Sequence, residues 1–488
     1  MAYRKTGLCL ILLLSLFVTC KKDQPVSYLA DHRYPAPVRD IMLLKCATSG
    51  CHNTQSKDAA SGLDLSSWDK LFQGGRNGSS VVPFRPDFSF LPAFCNTYSD
   101  LGQTLLPTMP LNQTPLSREE MTVLTDWIKA GAPDADGYVK FSENTHRKKM
   151  YVVNQGCDLV SVYDAETRLL MRVVDVGALA GVSESPHDLR FSSDQKYWYL
   201  VFYNGTILQR FNAVDDSPAG QVEIGPGSWN TMTISSDNKR AYCVNWSANG
   251  SVAVVDLENM SLLAQWRSAS NLFTYPHGSA FAGNNDTLYL TAQQGNFIYK
   301  VPIDDPSSPI LVSLQPGIPP SITSSLDIHE LTFTPDYAFY LLSCQKSNEV
   351  RMMQTSNDSL VAVFPVGDYP QELNTSSTSD YVFVTCMEDT THNTIGRGSV
   401  AIINYKTKSL VKIVHTGFQP HGLVIDEEKQ LVYVANRNIT KGGPAPHHSS
   451  VCAGKNGYVT AIDMNTLELT SFKAETFVDP FCVGIRYH

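Results

Sequence analysis

A short motif recurs seven times between residue 186 and the C-terminus: PHDLRFS at 186, WNTMTIS at 229, PHGSAFA at 276, IHELTFT at 328, PQELNTS at 370, PHGLVID at 420 and PFCVGIR at 480. Successive starts lie 43, 47, 52, 42, 50 and 60 residues apart. After each but the last comes a β-type run such as YVAN (Tyr433 to Asn436), then an alternating run such as VAVVD or VTAID, then an irregular fourth. Four strands per unit at this period, with almost no helical pattern, predict a β-propeller.

The runs SVYD, AVVD, AIIN and TAID mark the third strands. Together with YVAN they resemble the YVTN propeller family over the whole of 148–488. The runs KKMYVVNQ, DLVSVYD and LLMRVVDVG supply a second, third and fourth strand with no first, and PFCVGIRYH at the chain end supplies a first with nothing after it. The expectation is seven blades, closed by pairing residues 480–488 with the blade begun at 148–177, which removes free sheet edges.

The chain opens MAYRKTGLCLILLLSLFVTCKKD: two basic residues, an apolar run from Leu8 to Val18, and Thr19 before Cys20. That is an export signal over 1–19, too short for a membrane span of ~20 apolar residues. Its ending, FVTC, resembles the lipobox of bacterial lipoproteins, which implies lipidation of Cys20 and a tethered linker over 20–33. The membrane is then reached through a lipid anchor, and the folded part faces the periplasm or the cell surface. Loss of Arg4 and Lys5 with the leader takes the net charge from −9 to −11, which argues against nucleic acid as a partner. Eleven cysteines lose Cys9 and Cys20, leaving an odd nine in an oxidising compartment.

Residues 34–137 read as a small helical unit. Val38, Ile41, Met42 and Leu44 recur at roughly helical spacing and deliver Cys46 at a helix end. A second helix is marked by Ser117 and Glu120 as a capping box, by Met121, Leu124, Trp127 and Ile128 on one face, and by Gly131 and Pro133 at its close. So little helix makes a thin core that needs another support.

KCATSGCHN, residues 45–53, places His52 directly after Cys51, with Cys46 five positions earlier. A disulfide, a zinc clip and a covalent haem all use such residues. Haem attachment needs two thiols for the vinyl groups and an imidazole beside them for the iron, and a Met thioether often supplies the opposite face. Met109 sits between Pro107 and Pro110 in LLPTMPLNQ, on backbone the prolines keep extended. The order Cys46, Cys51, His52, Gly-rich loop, TMP and closing helix resembles the c-type cytochromes, with the cysteines five positions apart where three are usual. The resemblance implies one haem c, with Cys46 and Cys51 as thioether links, His52 as proximal and Met109 as distal ligand. It also implies a redox partner protein.

The repeat motif begins each innermost strand, so His187, His277, His329 and His421 are expected around one mouth of the channel. Loops carrying His392, Arg397, Arg437, His447, His448 and Cys452 open on the same face. His187, His277, His329, His421, His447 and His448 are candidates for a second metal or cofactor site. Histidines that satisfy backbone groups around the channel are the alternative. Cys243, Cys344 and Cys386 hold equivalent second-strand positions as small buried hydrophobes.

The fold class expected is multidomain: an all-α cytochrome c-like domain at 34–137, a linker at 138–147, and an all-β propeller at 148–488. The function expected is electron transfer by a membrane-tethered cytochrome whose propeller docks a partner or ligand. Two rivals stand beside it. One is a periplasmic oxidoreductase with a metal or second haem at the His-rich face, arranged as in cytochrome cd1 nitrite reductases. The other is a haem-free surface binding protein.

Overall fold

The computed structural model describes residues 32–267, 273–392, 396–446 and 452–487. Cys20 with the rest of the leader, and His447 and His448, lie outside the described residues.

Residues 149–486 form seven four-stranded antiparallel sheets arranged as a ring. The innermost strands are the seven repeat motifs: Pro186–Phe191 in blade 1, Trp229–Ile234 in blade 2, Pro276–Phe281 in blade 3, Ile328–Phe333 in blade 4, Pro370–Thr375 in blade 5, Pro420–Asp426 in blade 6 and Pro480–Arg486 in blade 7. Blade 7 continues with Lys149–Asn154, Leu159–Asp164 and Leu170–Asp175. Pro480–Arg486 pairs antiparallel with Lys149–Asn154, from Lys149 opposite Arg486 to Asn154 opposite Pro480. The last strand of the chain therefore closes the ring on the first, as the strand count predicts.

Middle strands are covered on both faces by neighbouring blades, so Lys149–Asn154 and Leu159–Asp164 are buried along their whole length. Outermost strands such as Ser261–Trp266 and Ser409–Val414 face solvent, which is why their sequences lose the apolar pattern. The turn out of the innermost strand repeats one device in blades 1, 2 and 4. Ser192, Ser235 and Thr334 each donate a hydroxyl to an aspartate two residues on (Asp194, Asp237, Asp336) at 2.6–2.7 Å. The residue directly after each aspartate adopts positive φ: Gln195, Asn238 and Tyr337. Cys157, between two strands of blade 7, is disulfide-bonded to Cys452 in the long blade 6 loop, 295 residues away.

Residues 32–147 correct the expectation of a separate all-α cytochrome domain. They hold four short helices: α1 (Ala36–Ile41), α2 (Trp68–Leu71), α3 (Phe90–Cys95) and α4 (Arg118–Lys129). Most of the segment is loop, and the molecule is nearly all β. Its apolar side chains, Val38, Trp68, Leu71, Phe72 and Trp127 among them, belong to the same core as Tyr151, Leu169, Met171 and Trp198 of blades 7 and 1. The thin helical core is therefore completed by the propeller, and the segment is a cap on blade 7.

The cap covers the outer edge of that blade. Ser79 Oγ donates to the Leu170 carbonyl at 2.9 Å, and Arg85 donates to the Val173 carbonyl at 2.9 Å and to Asp175 at 2.8 Å. Phe88 packs edge-on to Phe477, with ring centroids 5.1 Å apart. Tyr138 packs edge-on to Trp68 and Phe141 is buried, so 138–147 runs along the same surface. Among the described residues no helix is long and apolar enough to cross a membrane.

Candidate functional site

Two clusters of chemistry-bearing side chains stand out, one in the cap and one in the propeller channel. In the cap, α1 runs into a wider turn, Met42–Cys46, closed by a hydrogen bond from the Ala47 amide to the Met42 carbonyl at 2.7 Å. Val38, Ile41 and Met42 are buried, whereas Leu44 is 71% exposed. The turn delivers Cys46 to the core edge, where its thiol is buried. Residues 47–51 then loop outward. The Cys51 amide bonds to the Thr48 carbonyl, Gly50 takes φ +80°, and the His52 amide returns to the Cys46 carbonyl at 3.1 Å. Gly50 takes this left-handed conformation without strain, so the extra residues form a bulge and bring Cys51 and His52 back to Cys46.

His52 is half-buried, and burial lowers its pKa. Its Nδ1 is buried with no hydrogen-bond partner. The His52 carbonyl accepts from Leu65 at 2.8 Å, which fixes the backbone there. Burial pushes the Cys46 thiol up, and Cys95 and Cys51 are near enough to add to the effect. Burial also pushes the Cys95 thiol up, to about 12.

Cys95 ends α3, and the same helix holds the Met109 loop. The Leu105 amide bonds to the Ala93 carbonyl and the Met109 amide to the Phe94 carbonyl, both at 2.8 Å. Met109 packs, partly buried, against the core that contains Cys46 and Cys95. Of the four residues singled out from the sequence, Cys46, Cys51 and His52 are drawn together by one turn, and Met109 is held by α3, whose Cys95 lies near Cys46. Leu106, 83% exposed, and Leu111, 51% exposed, flank Met109. A hollow of about 680 Å³ opens against this loop, lined by Leu106, Pro107, Pro110 and Leu111.

In the propeller, the second residue of each innermost strand forms a ring of His187, Asn230, His277, His329, Gln371, His421 and Phe481, one per blade. All seven are buried. His421 stacks on Phe481 at 3.6 Å, His187 lies 4.1 Å from Phe481, and the His277 and His329 rings are 3.9 Å apart. His187, His277, His329 and His421 are brought together in this ring. Burial lowers the pKa of all four, that of His277 to about 3, so all are neutral at pH 7.

Their hydrogen bonding divides them. His187 Nδ1 meets the Gln155 side-chain Nε2 at 2.8 Å, whereas His421 Nδ1 meets the Phe481 carbonyl at 3.2 Å, the backbone-satisfying role. His277 Nδ1 and His329 Nδ1 have no partner. His392 is exposed and pairs with Asp389 at 3.1 Å, Arg397 with Glu388 at 2.9 Å, and Arg437 grips Asp479 while lying 4.8 Å over the Phe481 ring.

Sequence reasoning missed the layer next to this ring. Asp188, Glu330 and Glu372 follow the ring residues of blades 1, 4 and 5, with Arg190 3.0 Å from Asp188. Burial, then the neighbouring Glu372, raises Glu330 well above the carboxylate range; burial raises Glu372 to about 7. Burial opposes the charge on Arg190, but Asp188 and the other carboxylates hold its pKa above the ordinary value. The signal was present as acidic third residues in PHDL, IHEL and PQEL. The glycines of PHG have a spatial reason: a Cβ at Gly278 would meet Glu330 Cα at 2.8 Å, and one at Gly422 would meet Cys482 Cα at 2.9 Å.

Comparison with known proteins identifies the architecture. The chain is a seven-bladed β-propeller with an N-terminal cap. It resembles a periplasmic gluconolactonase of Pseudomonas aeruginosa (TM-score 0.51, 16% identity, 70% of this chain and 99% of that one). It also resembles a putative 6-phosphogluconolactonase of Bacteroides uniformis (0.50, 15%, 70% and 99%) and a functionally unknown protein of Desulfotomaculum acetoxidans (0.52, 14%, 69% and 98%). At these identities the likeness is one of fold. No protein-family profile and no curated protein matches the chain.

Proposed function

We propose that the protein is an exported, lipid-anchored electron carrier in which the cap holds one covalent haem and the propeller docks the redox partner or a ligand. Cys46 and Cys51 are the thioether links, His52 the proximal ligand and Met109 the distal one. The observation that carries this reading is that one turn draws Cys46, Cys51 and His52 together while α3, whose Cys95 lies near Cys46, holds Met109, with the His52 Nδ1 left unpartnered and apolar Leu106 and Leu111 exposed on either side of Met109. Exposed apolar residues grouped around polar donors mark a surface that another apolar body covers. The donor set fits haem c, and it is held by loops braced on a propeller in place of an all-α domain.

A haem there supplies a one-electron iron couple, and a thioether ligand favours electron transfer over ligand chemistry. The chain's own contribution is positioning. The Phe94 carbonyl fixes the Met109 backbone, and the Cys46 carbonyl fixes that of His52. Without Arg4 and Lys5 of the leader the net charge goes from −9 to −11, which gives the surface a field that favours partners with a basic docking face. Lipidation at Cys20 places the carrier at a bacterial membrane. The second reading, an exported oxidoreductase, is favoured by the unpartnered histidines of the channel.

The test compares Met109→Ala with the parent protein by spectroelectrochemistry. The variant is expected to keep its covalent haem and show a lower reduction potential. An unchanged potential and spectrum removes Met109 as ligand.

A further inference from the structure

We infer that His277, His329 and Glu330 form a binding site for a transition-metal dication of the zinc class inside the propeller channel. One donor atom from each lies within 4.8 Å of the other two, and all three side chains are buried. They come from adjacent blades: His277 from the innermost strand of blade 3, His329 and Glu330 from that of blade 4.

Each of the three residues carries an unpartnered buried polar atom: His277 Nδ1, His329 Nδ1 and Glu330 Oε2. Native structures pair nearly all of their buried polar atoms. The other two histidines of the ring are paired, His187 with Gln155 and His421 with the Phe481 carbonyl. Asn230 and Gln371 of the ring also carry unpartnered polar atoms, but among the described residues it is His277, His329 and Glu330 that bring metal-type donors within 4.8 Å of one another.

The surroundings hold these residues in place. Thr231 Oγ1 donates to the His277 carbonyl at 2.5 Å and Thr291 Oγ1 to the His329 carbonyl at 3.0 Å. Ser343 Oγ accepts from the Glu330 amide at 3.1 Å, and Glu330 Oε1 accepts from the Leu331 amide at 3.0 Å, which leaves Oε2 free. Gly278 leaves room for the Glu330 carboxylate, since a Cβ there would collide with Glu330. Outer contacts of this kind fix the orientation of metal-binding side chains.

Two imidazoles and one carboxylate suit zinc and its neighbours, whereas magnesium and calcium ions prefer oxygen donors. Three protein ligands leave a coordination position open to a small molecule in the channel. Of the guanidinium groups beside the ring, Arg190 pairs with Asp188 and Arg437 with Asp479, so each positive charge there is matched by a carboxylate. This site is independent of the cap and of any haem there.

The test uses the full chain stripped with chelator, then titrated with Zn²⁺ by calorimetry and elemental analysis, with Mg²⁺ as control. One zinc per chain is expected, with Glu330→Gln and His329→Gln each weakening binding roughly 100-fold, while a His447→Ala, His448→Ala double variant binds as the parent does. Zinc binding that is absent, or that survives both substitutions, overturns the proposal. Co²⁺ added to the parent protein covers the case in which the variants fail to fold. Ligand-field bands without a thiolate charge-transfer band support the site, and a thiolate band assigns the metal to cysteine instead.

Discussion

Lys45 Nζ lies 2.6 Å from Glu120 Oε2, and the same oxygen accepts the Ser117 amide at 2.7 Å. One carboxylate therefore completes the capping box of α4 and grips the residue before Cys46. Burial opposes ionisation of Glu120, and the hydrogen bonds from Lys45 and Ser117 overcome it and hold its pKa below the ordinary carboxylate value. The folded state thus binds fewer protons than the unfolded one near pH 4.5. Its stabilisation is present above that pH and lost as pH falls through the lowered value. Glu120→Gln keeps a capping side chain and removes the charge. The loss should be about 0.5–1 kcal/mol at pH 7, because both partners are about one-third exposed, and should shrink below pH 4.5 in denaturant titrations. An equal loss at both pH values would show that the ion pair contributes nothing.

Gly422→Ala tests the closeness of the innermost strands. The added Cβ would press on the Phe481 carbonyl and on Cys482 Cα, backbone atoms of the closing strand that cannot rotate away. A destabilisation on the order of 1–3 kcal/mol is expected from overpacking. Unfolding midpoints of variant and parent measure it, and coincident midpoints would mean that blades 6 and 7 sit further apart.

Cys157→Ser removes the bond that ties the blade 6 loop to blade 7. Its partner lies 295 residues away, so the crosslink restrains a long stretch of the unfolded chain. The variant should lose about 2–4 kcal/mol, and the parent should lose the same under reducing conditions. A parent insensitive to reductant would contradict the assignment of this disulfide.

The propeller could be read because each blade repeats its apolar pattern locally, and because the unmatched strand at each chain end shows how the ring closes. The channel histidines followed from the same register. The cap could not be read in that way. Trp68, Leu71 and Phe72 complete their packing on Tyr151 and Met171, contacts that no local periodicity encodes. The capping box of α4 was legible, since its signals lie within one turn. The Cys157–Cys452 bond was not, because an odd count of nine cysteines constrains no pairing. Glu330 was overlooked because it looked like an ordinary strand residue until Gly278 and His277 were placed beside it.

The account rests most heavily on covalent haem in the cap. The direct measurement is the visible spectrum and intact mass of the chain produced with the c-type haem attachment machinery, after denaturing extraction. One haem per chain that survives extraction, and is lost in a Cys46→Ala, Cys51→Ala double variant, is the expected result. A chain that carries no haem, with Cys46 joined to Cys51 or Cys95 or titrating as a free thiol, would contradict it.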